Sequence, residues 1–204
     1  MNTKFLSLLA GAALAQAASA APMTFDFKDP KGVNNATFTI DALLESTSGS
    51  ANGITGTVSF DPQNPGATTG TINITTASLH VPNSMMDGHL HSAMWLNAAT
   101  YPEIKFVATK LDNVNTSGDT TTADAVGTFT LKGVTKEMTV PVKLTYLEGK
   151  LGQRLPGQNG DILVLRSHFS IKRSDFNIQP HQSEDKVSDE IQINLSIAGA
   201  SPHA

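Results

Sequence analysis

Cysteine is absent from all 204 residues, which excludes disulfides and a lipidated cysteine, so an exported fold of this chain must rest on its core alone. Charge is scarce as well. Lysine and arginine number 14 against 18 aspartate and glutamate, a formal net charge of −4, and a chain with that balance is a poor partner for nucleic acid. Aromatic residues are limited to nine Phe, two Tyr and one Trp, so any place where they gather stands out. Beyond residue 20 there is no apolar run long enough to span a bilayer stably, no charge run, no heptad and no convincing internal repeat.

What the first residues do have is a leader. Lys4 follows the start, residues 5–14 form a short apolar run, and Ala18-Ser19-Ala20 supplies small residues for cleavage. This order predicts a secretory signal peptide over 1–20, cut after Ala20 or, as the alternative, after Ala21, and hence a periplasmic or secreted protein. Removing it takes away one lysine and leaves a net charge of about −5. The remaining residues, taken as one domain over 22–200, are enough to bury a sizeable core.

After the leader the chain alternates. Phe38, Ile40 and Ala42 oppose Thr37, Thr39 and Asp41, and Ile72 and Ile74 oppose Thr71, Asn73 and Thr75. Met138, Val140, Val142, Leu144 and Tyr146 fall on one face of a long strand, and Ile191, Ile193, Leu195 and Ile197 do so near the C-terminus. Further alternating runs over 104–108, 125–131 and 163–171 bring the strands to seven or eight. Lys132-Gly133 reads as a hairpin turn and 61–66 as a longer, stiffer one, while 147–159 is Gly-rich enough to be mobile. The predicted fold is all-β, a single antiparallel β-barrel of about eight strands, since closure removes exposed edges; a sandwich is the alternative.

One stretch departs from this pattern. Residues 79–106 gather three of the six histidines, the only Trp and half the Met. Asn83 or Ser84 can cap a short helix with Asp87 in its first turn, and Pro102 would end a second helical piece over 97–101. Such an insertion is suited to closing over a ligand.

The ordered motifs Ser78-Leu79, Asp87-Gly88-His89-Leu90, Trp95-Leu96, 101–106 (Tyr-Pro-Glu-Ile-Lys-Phe), 127–136 (Gly-Thr-Phe-Thr-Leu-Lys-Gly-Val-Thr-Lys), Arg173-Ser174-Asp175-Phe176 and 187–191 make a chain that resembles the YceI-like family of exported polyisoprenoid-binding proteins. The resemblance implies a lipocalin-like barrel with an apolar interior for a long-chain isoprenoid or similar amphiphile, and no catalysis. Three positions depart from it: Asn35-Ala36 replaces an early His-Ser, Met86 stands where an Arg often precedes the Asp, and Asn177 replaces a common Gly. Without that Arg, a pyrophosphate head group loses its obvious partner, and a neutral head held by a few donors fits better.

On this reading Phe38, Phe60, Met85, Met94, Trp95, Phe106, Phe129 and Phe169 are candidates to line an apolar lumen, although each could equally fill a dry core. Asp87, His89, His91, Ser92 and Arg173 are candidates for the mouth or head group, with a strand-end structural role the competing assignment for Arg173. His89 and His91 could be read as metal ligands, but at i and i+2 of a helix they point apart. Ser84, His89 and Asp87 could be read as a hydrolase triad, but no Gly-x-Ser-x-Gly elbow accompanies them. The expected function is a periplasmic carrier of a polyisoprenoid, quinone or similar lipid, with no cofactor beyond that lipid, no nucleic-acid partner, no stable membrane span and a possible homodimer. The alternatives are a redox partner handling quinone for a membrane cytochrome, or a metal-dependent enzyme using His89 and His91.

Overall fold

The computed structural model describes residues 21–203; the predicted signal peptide lies outside the described residues. Eleven strands form one antiparallel sheet that closes on itself. In chain order they are β1 (Met23–Asp26), β2 (Asn35–Asp41), β3 (Ser46–Ala51), β4 (Ile54–Phe60), β5 (Thr69–Thr75), β6 (Leu79–His80), β7 (Glu103–Ser117), β8 (Thr120–Leu131), β9 (Val134–Leu147), β10 (Gly160–Lys172) and β11 (Glu190–Pro202). Two helices interrupt them, α1 (Ser84–His91) and the single turn α2 (Leu151–Arg154).

The first six strands are three staves, each broken once. β1 and β2 run in the same direction along β11, through Asp26↔Ala200 and then Asn35↔Ser196 to Thr39↔Gln192. β4 and β3 follow on their other side, and β5 with β6 comes next. Counted this way the barrel has eight staves in simple up-and-down order, with the first sealed against the last. Closure leaves neither the first nor the last stave as a free edge of the kind that invites aggregation. The excursion 27–34 in the first stave is tied down by Asn34, whose Nδ2 donates to Phe27 O at 3.0 Å and Ala198 O at 3.1 Å. Arg154 reaches Asp29 at 3.1 Å beside it.

Local chemistry explains the turns. Lys132 and Gly133 take φ of 49° and 76° between Leu131↔Val134, the doubly left-handed two-residue hairpin that glycine favours. Gly127 is required by close approach, because a Cβ there would sit 2.0 Å from Val107 O, beside the β7 register shift at Ala108/Lys110. Asn83 caps α1, its side chain accepting from the Met85 and Met86 N–H groups at 3.1 Å.

Two predicted features differ. Residues 97–101 are not helical: Asn97 takes φ 49°, its carbonyl accepts from both Thr100 and Tyr101, and a left-handed residue cannot carry a helix on. The Gly-rich 147–159 stretch holds α2, whose Leu151 is fully buried.

The core is in two parts. At the lower end, where β4 and β9 finish, Phe25, Phe27, Phe60, Leu144, Leu163 and Ile197 pack together, with Phe25 edge-on to Phe60 (6.4 Å) and to Tyr146 (6.2 Å). At the upper end, Leu96, Ile104, Phe129, Leu131, Phe176 and Ile178 form the second cluster.

Candidate functional site: an apolar lumen

Between the two clusters the barrel is hollow. The cavity has a volume of about 190 Å³, more than ten times what one water needs. Its origin lies in which inward positions are small. Gly70 faces Ala108 across β5 and β7, and Ala108 faces Gly127 across β7 and β8, so three neighbouring strands offer no side chain to fill the middle. Ala36 and Ala51, paired across β2 and β3, do the same on the other side. On β10, Leu165, Ser167, Phe169 and Ile171 all line the cavity, which makes it roughly 20 Å long at about 3.4 Å per residue. It runs from Val58 and Leu144, on top of the lower aromatic plug, to Leu79, Leu90, Trp95, Leu96 and Ile178 under the upper loops.

Of the apolar side chains singled out from the sequence, Phe38, Trp95, Phe106, Phe129 and Phe169 line this cavity. Phe60 does not. It lies below the lumen, ring to ring with Phe25 and Tyr146 (6.1 Å to the latter), because it ends its stave at the plugged end. Met85 and Met94 do not line it either; they are 72% and 67% exposed, on the outer sides of α1 and the loop after it. Their neighbours Leu90 and Leu96 turn inward instead.

The polar candidates separate in the same way. Asp87 Oδ1 accepts the Val81 N–H at 3.0 Å and meets the His80 ring at 3.0 Å. The Val81 bond does most to hold its carboxyl below the ordinary range, with the neighbouring His80 and His91 adding to it. His89 is exposed, and its carbonyl takes the Ser92 hydroxyl at 2.7 Å. His91 is half-buried; its Nδ1 lies 2.9 Å from Asp87 O, and its Nε2 is buried with no partner. The histidine that meets the helix carboxylate is therefore His80, which the sequence did not single out. Among the described residues no three His, Cys, Asp or Glu side chains come together as a metal-holding group.

Arg173 is not at a mouth. It is fully buried, and its guanidinium donates to the carbonyls of Ser188 (3.1 Å), Ile178 (3.1 Å), Gln179, Gln182 (2.6 Å) and Val187 (3.0 Å). All five acceptors lie in the strap 177–189, so a side chain that could have bound a head group is committed to holding this loop. The strap needs holding: Asn177, Gln179, His181 and Ser183 all have positive φ. Its Ile178 closes the lumen from above. Lys132 clamps strap to insertion by donating to Asn177 O (3.0 Å) and Met94 O (3.3 Å), and burial lowers its pKa.

Sequence reasoning missed most of the aliphatic wall. Ile191, Ile193 and Leu195 were legible as one strand face, but nothing in one strand's pattern says that the face looks onto a void. Ile178 carries no periodic signal at all. At the lower end a polar lock was also missed, in which buried Asp161 accepts from Gly149 N (2.7 Å) and Tyr146 OH (3.0 Å) and meets His203 Nε2 at 3.0 Å.

Comparison with known proteins gives the geometry its relatives. The YceI-like domain matches residues 21–198. Protein YceI of Escherichia coli O17:K52:H18 is 34% identical over 144 residues, covering 71% of this chain and 69% of the relative. Among solved structures, Burkholderia cenocepacia BcnA superimposes with a TM-score of 0.65 at 24% identity, over 81% of this chain and 95% of that one. A polyisoprenoid binding domain from Saccharophagus degradans, implicated in plant cell wall breakdown, superimposes with a TM-score of 0.63 at 11% identity, over 89% and 99%. No helix among the described residues is long and apolar enough to cross a membrane. With the domain match running almost from one end of the described barrel to the other, and a relative above 30% identity beside it, the chain belongs to the YceI-like family.

Proposed function

We propose that this protein is an exported carrier that shields one long apolar chain, an isoprenoid or a quinone tail, inside its barrel. The observation that carries the reading is the lumen itself, elongated, walled almost wholly by aliphatic and aromatic side chains and kept open by Gly70, Ala108 and Gly127. An apolar cavity of that length gains more from hydrocarbon than from water. Each buried CH₂ contributes about 0.8 kcal/mol, so a five-carbon unit gives roughly 3 to 4 kcal/mol before ordering costs. The polyisoprenoid-binding neighbour of the same fold and the leader over 1–20 support cargo and export respectively, and the periplasm is the proposed compartment. No cofactor and no bond-making step enter the reading.

The head group is neutral in this proposal. Met86 replaces the arginine that the family resemblance leads one to expect, and Arg173 is spent on backbone carbonyls. The reading assigns the head-group contact to His91 Nε2, which is buried and unpartnered one residue on from the lumen-lining Leu90 and can pair with an alcohol or quinone oxygen.

Native mass spectrometry of protein purified from its own host, followed by solvent extraction, tests the cargo; an ultraviolet-absorbing extract identifies a quinone. Ala125 lines the lumen, and Ala125→Trp should lower uptake of an added isoprenoid alcohol by about tenfold or more while overpacking costs about 1–3 kcal/mol of stability. Protein that carries no lipid and takes up none sinks the reading.

A further inference from the structure

The barrel wall is not laddered all the way round. β8 pairs with β9 from Thr120↔Thr145 to Leu131↔Val134, and β10 pairs with β11 from Gly160↔Pro202 to Lys172↔Glu190. Between β9 and β10 the ladder runs only from Ile162↔Leu147 to Ser167↔Val142. The next residue of β9 is Pro141, which has no N–H to donate. Its carbonyl is taken by the Ser167 hydroxyl at 2.7 Å. Above this point, segments 134–141 and 168–172 carry no ladder pair with each other among the described residues. The five residues of β10 make this slit roughly 17 Å long, and it reaches the upper rim.

Two further observations give the slit a use. At its foot, the lumen and a polar groove on the outside of the barrel share Val142, Ser167 and Leu195 in their linings. The wall there is one strand thick, and it is the last rung of the β9–β10 ladder. At its top, side chains and not backbone close it. Phe176 packs edge-on against Phe129 with ring centroids 5.5 Å apart, and Lys136 of β9 crosses to Asp175 Oδ1 at 2.6 Å with its ammonium 6.0 Å above the Phe176 ring. Phe169 of β10 packs on the same Phe129 ring (6.3 Å) just below, so the closure is made of side-chain packing and one exposed ion pair. It opens without unzipping any strand ladder, and so more often than the ladders beside it.

We propose that the slit between β9 and β10 is the passage by which the apolar guest reaches and leaves the lumen, with Phe176 as its plug and the Lys136–Asp175 pair as its latch. This rests on the carrier reading above. A chain admitted sideways need not thread past Trp95, Leu96 and Ile178. The strap and insertion stay clamped by Lys132 while cargo moves.

The absence of cysteine makes the test clean. Thr139 and Ser170 are exposed on opposite lips of the slit, and the double variant Thr139→Cys/Ser170→Cys can be bridged with a short bismaleimide. Release of a fluorescent polyene alcohol to phosphatidylcholine vesicles is then followed with and without the bridge. The bridge should slow release by about tenfold or more, and Lys136→Ala in the otherwise unaltered chain should speed release by about two- to fivefold with equilibrium affinity held within about twofold. A bridged protein that releases at the unbridged rate overturns the passage but leaves the carrier intact. Failure of the unaltered protein to bind any such probe at equilibrium removes the carrier reading and the passage with it.

Discussion

At the lower end of the barrel, Phe25, Phe60 and Tyr146 meet ring to ring, and the buried carboxylate of Asp161 has its acceptors filled by Gly149, Tyr146 and His203. At the upper end β9 and β10 part above Ser167↔Val142, Ile178 and Leu96 hang from loops to cover the lumen, and large apolar side chains such as Leu43 and Met85 face solvent at 87% and 72% exposure. The same alternating strands build both. Both ends are packed, but the lower one is packed mainly by strand residues and a polar lock and the upper one partly by residues hung from loops. The proposed passage places cargo movement at the end whose closure is not strand against strand.

The largest effect expected is on the plug. Phe25→Ala should cost about 3–5 kcal/mol, whereas Ile193→Ala, whose side chain already faces the lumen, should cost about 1–2 kcal/mol. Denaturant midpoints of the two variants measure that gap, and equal losses would mean that the lumen is as tightly packed as the plug. Next comes the strap. Arg173→Lys keeps the charge but loses the planar fork that serves five carbonyls, so it should cost about 2–3 kcal/mol and open 177–189 to limited proteolysis before any strand is cut.

The lower lock should also be visible in its pH dependence. Burial pushes the Tyr146 hydroxyl up to about 12, and its bond to Asp161 adds to the shift. A folded pKa raised above the ordinary value of about 10 means that this stabilisation is complete below about pH 10 and fades as the pH rises through about 12. Asp161 behaves in the opposite sense. Burial alone would raise it, but the bonds from Gly149, His203 and Tyr146 outweigh burial and hold it low, so its contribution is present above the ordinary carboxylate range and is lost as acid titrates the folded group. Tyrosinate absorbance during an alkaline titration, compared with Tyr146→Phe, checks the first, and Asp161→Asn denatured across the acid range checks the second. The smallest effect belongs to the outer rim, where Met85→Ser should change stability by no more than about 0.5 kcal/mol in a thermal melt.

The staves were legible because alternation reports one buried face. Met138 to Tyr146 and Ile191 to Ile197 could be read as strands, Lys132-Gly133 as a hairpin turn and Asn83 or Ser84 as a helix cap, each from its own few residues. The hollow was not legible, because it depends on Gly70, Ala108 and Gly127 becoming neighbours across three strands, and one strand's pattern cannot say what stands opposite it. The strap was opaque for another reason. Its left-handed residues are Asn, Gln, His and Ser, not Gly, and the arginine that compensates them looks like any strand-end charge until its five acceptors are seen. Pro141 was the overlooked sign, since a proline inside an alternating run marks an edge.

The seal between the first stave and the last carries a consequence for how the molecule is made. Asp26 meets Ala200 and Thr39 meets Gln192, partners separated by most of the polypeptide, so the ring cannot shut while β11 is still being synthesised. Non-local pairing of this kind places folding on the millisecond-to-second scale, slow relative to helical proteins. Until then the sheet has two open margins, and a cysteine-free chain has no covalent staple to hold them, so the interval before closure is when it depends most on being kept from its neighbours.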